Sequence, residues 1–247
     1  VFLFTGAESG FSGLRYQGKL ASAQGADGMP ALVDGDHFGS AVALDQSRLV
    51  VGADTDSTVG SDRGAVYLFT DASTNFSSLT LSDKLTSGSL GSSAPIPSLN
   101  DQDQFGTSLA LEGDLLAVGA RRDDTGGTDN GAVYLFKGAS GEDFGGLTLA
   151  NKLASGQGAK GMGSIAAGSN FGTSVALNAG RLAVGAELES TGSSQHGAVY
   201  LFSGAGSDFS NLQLAGTLTS ATGASNMPAL AAGDNFGSAV GLDGNHL

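Results

Sequence analysis

The residues best equipped for chemistry in this 247-residue chain are acids gathered in short polar stretches. Asp54, Asp56, Thr58 and Asp62 stand at alternate positions, an oxygen-rich spacing of the kind that Ca²⁺ takes. Related stretches carry Asp123, Thr125 and Asp129, then Glu189 and Thr191, although Arg121 replaces the first acid in one and Gln195 the last in the other. The candidate Ca²⁺ ligands are therefore Asp54, Asp56, Thr58, Asp62, Asp123 and Asp129. The competing reading is a set of turns whose Asp and Thr side chains satisfy nearby backbone N–H groups. Gly156-Gln157-Gly158-Ala159-Lys160-Gly161 matches a dinucleotide fingerprint letter by letter, but that chemistry needs a helix start to meet the pyrophosphate. Met162-Gly163-Ser164-Ile165 leads instead toward another strand, so the stretch reads as a connector. His37, His196 and His246 fall at unrelated places and supply no common site. Acid pairs such as Asp34/Asp36 and Asp101/Asp103 recur and then become Gly168 and Asn170. Acid–base catalysis requires one singled-out pair, so no catalytic residue is predicted. Asn75-Phe76-Ser77 fits an N-glycosylation sequon, with Phe76 already part of a repeated framework.

Composition narrows what can hold these residues. The chain has 41 Gly but only 4 Pro, no Cys and no Trp, and 24 acidic against 11 basic side chains. Glycine has no every-third-residue period, which excludes collagen, and charged residues are too few for a coiled coil or charge-rich disorder. A net charge of −13 repels phosphate backbones and anionic lipid, so neither nucleic acid nor membrane insertion is expected. Lack of Cys removes disulfides and thiolate chemistry together. The opening Val1-Phe2-Leu3-Phe4 has no basic region before it and reads as mature or fragmentary sequence.

Self-similarity supplies the elements that position the acids. Gly-Ala-Val-Tyr-Leu-Phe occurs at 64–69, 131–136 and 197–202, and Phe-Gly at Phe38, Phe105, Phe171 and Phe236, so the repeat is roughly 66 residues long. Phe-x-x-Leu recurs from Phe11, Phe76, Phe144 and Phe209, and a Leu closes Lys-Leu or Thr-Leu at Leu20, Leu85, Leu153 and Leu218. The chain is read as one repeat domain, 1–247, with units 1–37, 38–104, 105–170, 171–235 and 236–247, the outer two partial. Each full unit predicts four short strands. Strand A follows Phe-Gly, strand B is typified by 181–186, strand C is the Gly-Ala-Val-Tyr-Leu-Phe string, and strand D is typified by 147–153. Turns such as Asn178-Ala179-Gly180 should join A to B as a hairpin. In strand C, Val66 and Leu68 point one way and Tyr67 and Phe69 the other, so both faces are apolar. A sheet buried on both faces sits between two others, and radial stacking of four-stranded sheets is a β-propeller. Strand D, more polar, is the expected outer edge. Met29, Ile96, Met162 and Met227 are expected to plug the grooves between successive sheets and pin the long connectors.

Phe-Gly-x-Ser-x-Ala-Leu, Leu-Ala-Val-Gly-Ala and Gly-Ala-Val-Tyr-Leu-Phe, in that order, resemble the FG-GAP repeat, the blade unit of integrin α-subunit propellers and of bacterial surface and secreted proteins. Gly52-Ala53, Gly119-Ala120 and Gly185-Ala186 match its Gly-Ala-Pro element without the Pro. The calcium loop that integrin-type repeats place between strands A and B is not matched, because only a short turn fits there. The resemblance implies an all-β propeller or propeller segment and an extracellular, secreted or cell-surface, structural or cell-adhesion module with no enzyme activity. The alternative is a ligand-binding propeller holding glycan or Ca²⁺ in the B-to-C loops. Expected partners are neighbouring repeats or copies of the same chain, a cell-surface protein, or a glycan. At the ends, strand A is expected at 238–242 and strands C and D near the start, with no strand B between them. Direct closure of a four-bladed ring is therefore not expected, and the chain reads as a window on a longer repeat polypeptide or as completed by strand addition from a neighbour.

Overall fold

A computed structural model describes residues 1–6, 12–72, 76–88, 96–139, 144–191, 194–244 and 246–247. Phe11, Asn75 of the sequon and Pro95 lie outside the described residues. The strands, in chain order, are β1 (Phe2–Thr5), β2 (Arg15–Lys19), β3 (Phe38–Asp45), β4 (Arg48–Ala53), β5 (Ala65–Thr70), β6 (Thr80–Leu85), β7 (Phe105–Glu112), β8 (Leu115–Ala120), β9 (Ala132–Lys137) and β10 (Thr148–Leu153). They continue with β11 (Phe171–Asn178), β12 (Arg181–Ala186), β13 (Ser190–Thr191), β14 (Ser194–Gln195), β15 (Ala198–Ser203) and β16 (Gln213–Leu218). Three four-stranded antiparallel sheets result, β3-β4-β5-β6, β7-β8-β9-β10 and β11-β12-β15-β16, with β1-β2 as a two-stranded sheet and β13-β14 a small hairpin. These are the expected strands A to D, in order, in three complete units, called blades one, two and three below.

Strands B and C are buried along their whole length in blades one and two, apart from Lys137, while D is half-exposed. The reason is the side-chain alternation of strand C. Val66 and Leu68 of blade one pack in one core with Phe105, Leu116, Tyr134 and Phe136 of blade two. Val133 and Leu135, on the opposite face of that same blade, pack with Phe171, Leu182, Tyr200 and Phe202 of blade three. Tyr67 and Phe69 face Leu3 and Leu20 of the β1-β2 sheet. Blades one and two thus each bury one face on the preceding sheet and one on the following sheet, the stacking of propeller blades. The strands next to one another across the junctions are the A strands β3, β7 and β11, which places A innermost and D outermost.

The repeated glycines are explained by backbone approach. A Cβ on Gly119 of β8 would lie 2.1 Å from the carbonyl O of Gly172, and one on Gly52 would lie equally close to that of Gly106. Only glycine admits this contact. The Gly-Ala of one blade and the Phe-Gly of the next are therefore two halves of one junction. Further bonds sew the same seam. Ser108 Oγ donates to Gly172 O at 2.7 Å, Ser174 Oγ to Gly237 O at 2.8 Å, and the Asp45 and Glu112 carboxylates accept from the backbone N–H of Gly113 and Ala179 in the next blade. Three of the four connectors are pinned as expected, while Met227, which follows the last sheet, is only partly buried and belongs to no core. Met29, Ile96 and Met162 are buried in the three inter-sheet cores, and Lys160, inside the discarded fingerprint, pairs with Gln213 of the next outer strand.

The last expected strand A does not form. Phe236 makes one bridge to Gly197, but 238–242 has no strand assignment, because no strand B lies beside it to take its ladder bonds. Nor does any ladder join β1 to 238–242 among the described residues, as β1 pairs with β2 alone. No helix among the described residues is long and apolar enough to cross a membrane.

Candidate functional site

The acidic loops all run from strand B to strand C. In blade one the loop begins with a turn in which Asp56 N donates to Ala53 O at 3.0 Å, and it closes where Gly64 N donates to Asp56 O at 3.1 Å. This geometry aims the Asp56 side chain inward, where it is 1% exposed. Its Oδ1 accepts from Thr58 N at 3.0 Å, while Oδ2 accepts from Tyr67 Oη at 2.9 Å and from Lys84 Nζ at 2.7 Å. Lys84 reaches in from strand D. It also donates to Thr58 Oγ1 at 2.8 Å and lies 4.8 Å from the Tyr67 ring centroid.

Blade two repeats the arrangement. Asp123, 2% exposed, accepts from Thr125 N at 2.9 Å, Tyr134 Oη at 2.7 Å and Lys152 Nζ at 2.8 Å, and Lys152 donates to Thr125 Oγ1 at 2.7 Å. The register brings the groups together, since Tyr67 pairs with Lys84 and Tyr134 with Lys152 across the C–D ladder. In blade three the same rung pairs Tyr200 with Thr217. There Glu189 takes the place of Asp and accepts from Tyr200 Oη at 3.2 Å, and Thr217 supplies no amine.

Electrostatics follow from burial and pairing. Burial pushes the Asp56 carboxyl up, but the Lys84 hydrogen bond and the two bonds from Thr58 outweigh it and hold the group below its ordinary value. Asp123 behaves alike, with the charge and hydrogen bond of Lys152 leading the opposition to burial. Burial and the adjacent carboxylate push the hydroxyls of Tyr67, Tyr134 and Tyr200 well above the usual tyrosine range. They remain donors at every ordinary pH.

A further acid joins from the connector that enters each blade. Asp36 and Asp103, two residues before Phe-Gly, are 6% and 1% exposed, and the residue at that place before blade three is Ser169, so the acid pair is replaced there by Ala167 and Ser169 and not by Gly168 and Asn170. Asp103 Oδ2 accepts from Asn100 N at 2.7 Å, while its Oδ1 is buried with no hydrogen-bond partner. Burial first, and then the charges of Asp123 and Asp124, push Asp103 up to about 6 against the opposing Asn100 bond and Lys152 charge.

Of the expected cation ligands, Asp54, Asp56, Thr58 and Asp62 lie in the B-to-C loop of blade one, and Asp123 and Asp129 in that of blade two. Asp56 and Thr58 share the lysine just described, as Asp123 does in its own blade. Asp54 accepts from Thr107 Oγ1 at 3.4 Å, with His37 Nδ1 3.5 Å from its other oxygen. Asp62 and Asp129 adopt positive φ of 51° and 49°, a region that Asp tolerates, and their carbonyls accept from Gln104 N and Asn170 N of the following connector. They are corners that dock the next blade. Among the described residues no group of three or more His, Cys, Asp or Glu could hold a metal ion. Sequence reasoning set Asp36 and Asp103 aside as recurring acids without a role, and it missed Lys84 and Lys152. Their signal was present, because Lys-Leu ends strand D only in the blades whose loop acid is Asp.

Comparison with family models matches the FG-GAP repeat at residues 32–69, 99–136 and 164–202, each running from the connector through strand C. A comparison with curated proteins found no match.

Proposed function

We propose that this chain, which carries three FG-GAP repeats, is an extracellular structural and adhesive module that presents a stacked β-propeller surface to other proteins and performs no catalysis on a bound substrate. FG-GAP repeats build propeller-type interaction modules. The observation that carries the reading is where the recurring polar side chains of the repeat make their bonds. The loop acids and tyrosines, with the strand-D lysines of blades one and two, bond to one another inside the blade, leaving no convergent set of groups in a cleft among the described residues. A cavity of about 660 Å³, lined by Asn151, Gln157, Lys160, Ser210, Asn211 and Gln213 among others, offers amides, one hydroxyl and the Lys160 amine but no carboxylate.

The test is a bead-rupture assay in which beads coated with the chain are pulled from surfaces carrying the same chain or fixed bacterial or animal cells, with calcium and with chelator. Specific retention unchanged by chelator is the expected result, and no retention above an albumin-coated bead on any surface would overturn it. A second reading, a ligand held through Ca²⁺ at the B-to-C loops, draws on Asp54, whose Oδ1 is buried without a hydrogen bond. Retention that vanishes in chelator would favour that reading.

A further inference from the structure

In two blades a primary amine is held against a buried carboxylate. Lys84 Nζ lies 2.7 Å from Asp56 Oδ2 and Lys152 Nζ 2.8 Å from Asp123 Oδ2. Neither amine is free to wander. Strand pairing fixes each lysine opposite its tyrosine, and each Nζ also bonds a Thr hydroxyl above the tyrosine ring. Holding an amine beside a carboxyl in this way lowers the entropic barrier to joining them, since well-oriented intramolecular reactions reach effective molarities of roughly 10⁵ M or more. The Tyr67 and Tyr134 hydroxyls donate to the same carboxylate oxygens, where negative charge would collect in a tetrahedral intermediate.

The companion acids complete the set. Asp103 is buried, has one oxygen without a hydrogen-bond partner, and is close enough to Asp123 and Lys152 for both charges to act on it. Asp36 takes the same place before blade one and acts on Tyr67. Before and within blade three these positions are Ser169, Glu189 and Thr217. The amine, the short acid and the companion acid are present together or replaced together. A simple ion pair does not call for the third member, since a second buried acid beside one Lys–Asp pair leaves a charge unbalanced.

We propose that Lys84 with Asp56, and Lys152 with Asp123, close into amide cross-links within the folded chain, with Asp36 and Asp103 carrying the protons. One proton first moves along the hydrogen bond from the ammonium to the carboxylate, giving a neutral amine and a carboxylic acid. The Nζ lone pair then attacks Cγ and the C–N bond forms. The companion carboxylic acid protonates the departing hydroxyl, the C–O bond breaks, and water leaves. The companion carboxylate recovers its proton from the nitrogen, so it ends as it began. The ammonium and carboxylate have become an amide and one water, and no oxidant, reductant or activated donor is needed. The product ties strand D, the outermost strand, covalently to the B-to-C loop of its own blade. This inference does not depend on the adhesive reading above.

The experiment is an intact mass measurement on the purified, folded chain after it is denatured, followed by proteolysis and fragment sequencing. The expected mass is two waters below the sequence mass, with branched peptides joining Lys84 to Asp56 and Lys152 to Asp123. Lys84→Arg and Lys152→Arg keep the charge without a usable amine, and each should restore one water. Asp103→Asn should slow formation in blade two alone. One water lost only at Lys152 upholds the cross-link there and overturns it in blade one. A folded wild-type chain with the full sequence mass after prolonged incubation overturns both, and so does a water loss that persists in the double arginine variant or maps to an Asp-Gly step such as Asp27-Gly28.

Discussion

Blade two holds Asp123, Tyr134 and Lys152 in one buried cluster, whereas blade three places Glu189, Tyr200 and Thr217 at the same positions of the same ladder. Both are four-stranded sheets with the strands in the same order, and they share one core, although the B-to-C loop of blade three carries the β13-β14 hairpin. The comparison separates two tasks that the repeat performs. Apolar alternation and glycine contact suffice to stack a blade, because blade three has both and lacks the lysine. The polar cluster does something else, fastening the outer strand to the loop above it. Blade three keeps the tyrosine-to-acid bond with a longer side chain and a longer hydrogen bond, 3.2 Å against 2.7 Å, and dispenses with the charge pair.

The largest expected effect lies in removing one partner only. Lys152→Met leaves Asp123 buried and unpaired and should cost about 3–5 kcal/mol, while Thr217→Met, at the equivalent half-exposed position, should stay within about 0.5 kcal/mol. Equal losses in denaturant melts would erase the distinction between the blades. Tyr134→Phe strips a donor from the buried Asp123 and should cost about 1–3 kcal/mol, with Tyr200→Phe at the low end of that range because its acceptor is the more adaptable Glu189. A larger loss at Tyr200 would reverse the argument.

The pH dependence sharpens the contrast. Asp103, raised to about 6, binds a proton more readily folded than unfolded. Its contribution to stability is therefore full at pH below the ordinary carboxylate range and is lost as pH rises through about 6. While they are free carboxylates, before any amide closes, Asp56 and Asp123 are lowered, so theirs is present above that range and is lost as pH falls through it. Asp103→Asn should stabilise the chain by about 1–3 kcal/mol at pH 7.5 and flatten the decline between pH 4 and 6. A variant with an unchanged pH profile would show that Asp103 is not the group responsible. The smallest effect is a gain. Glu189→Asp with Thr217→Lys should transplant the cluster into blade three and add about 1 kcal/mol, more than the two single changes summed.

Much of this was legible in the sequence, for identifiable reasons. Strand C could be placed between two layers because Val66 and Leu68 alternate with Tyr67 and Phe69, and the resulting cores are the observed ones. The polar cluster was only half legible. Asp56 and Thr58 stood out by spacing, yet their partner Lys84 lies 28 positions away from Asp56, and nothing local links them. That contact is a product of ladder register. Asp62 and Asp129 looked like ligands because Asp serves both as a cation ligand and as a residue that tolerates positive φ, and spacing alone does not separate the two uses. Strand A at 238–242 carried the right residues, but a strand also needs a neighbour.

The central claim is that the acids of the B-to-C loops serve lysines and tyrosines of their own blade, and not an outside cation. Calcium titration of the intact chain, followed by thermal melting, tests it most directly. The melting midpoint should not move. Stabilisation that climbs with calcium toward about 2.7 kcal/mol at a hundredfold excess over the dissociation constant, and that disappears in Asp56→Asn with Asp123→Asn, would contradict it.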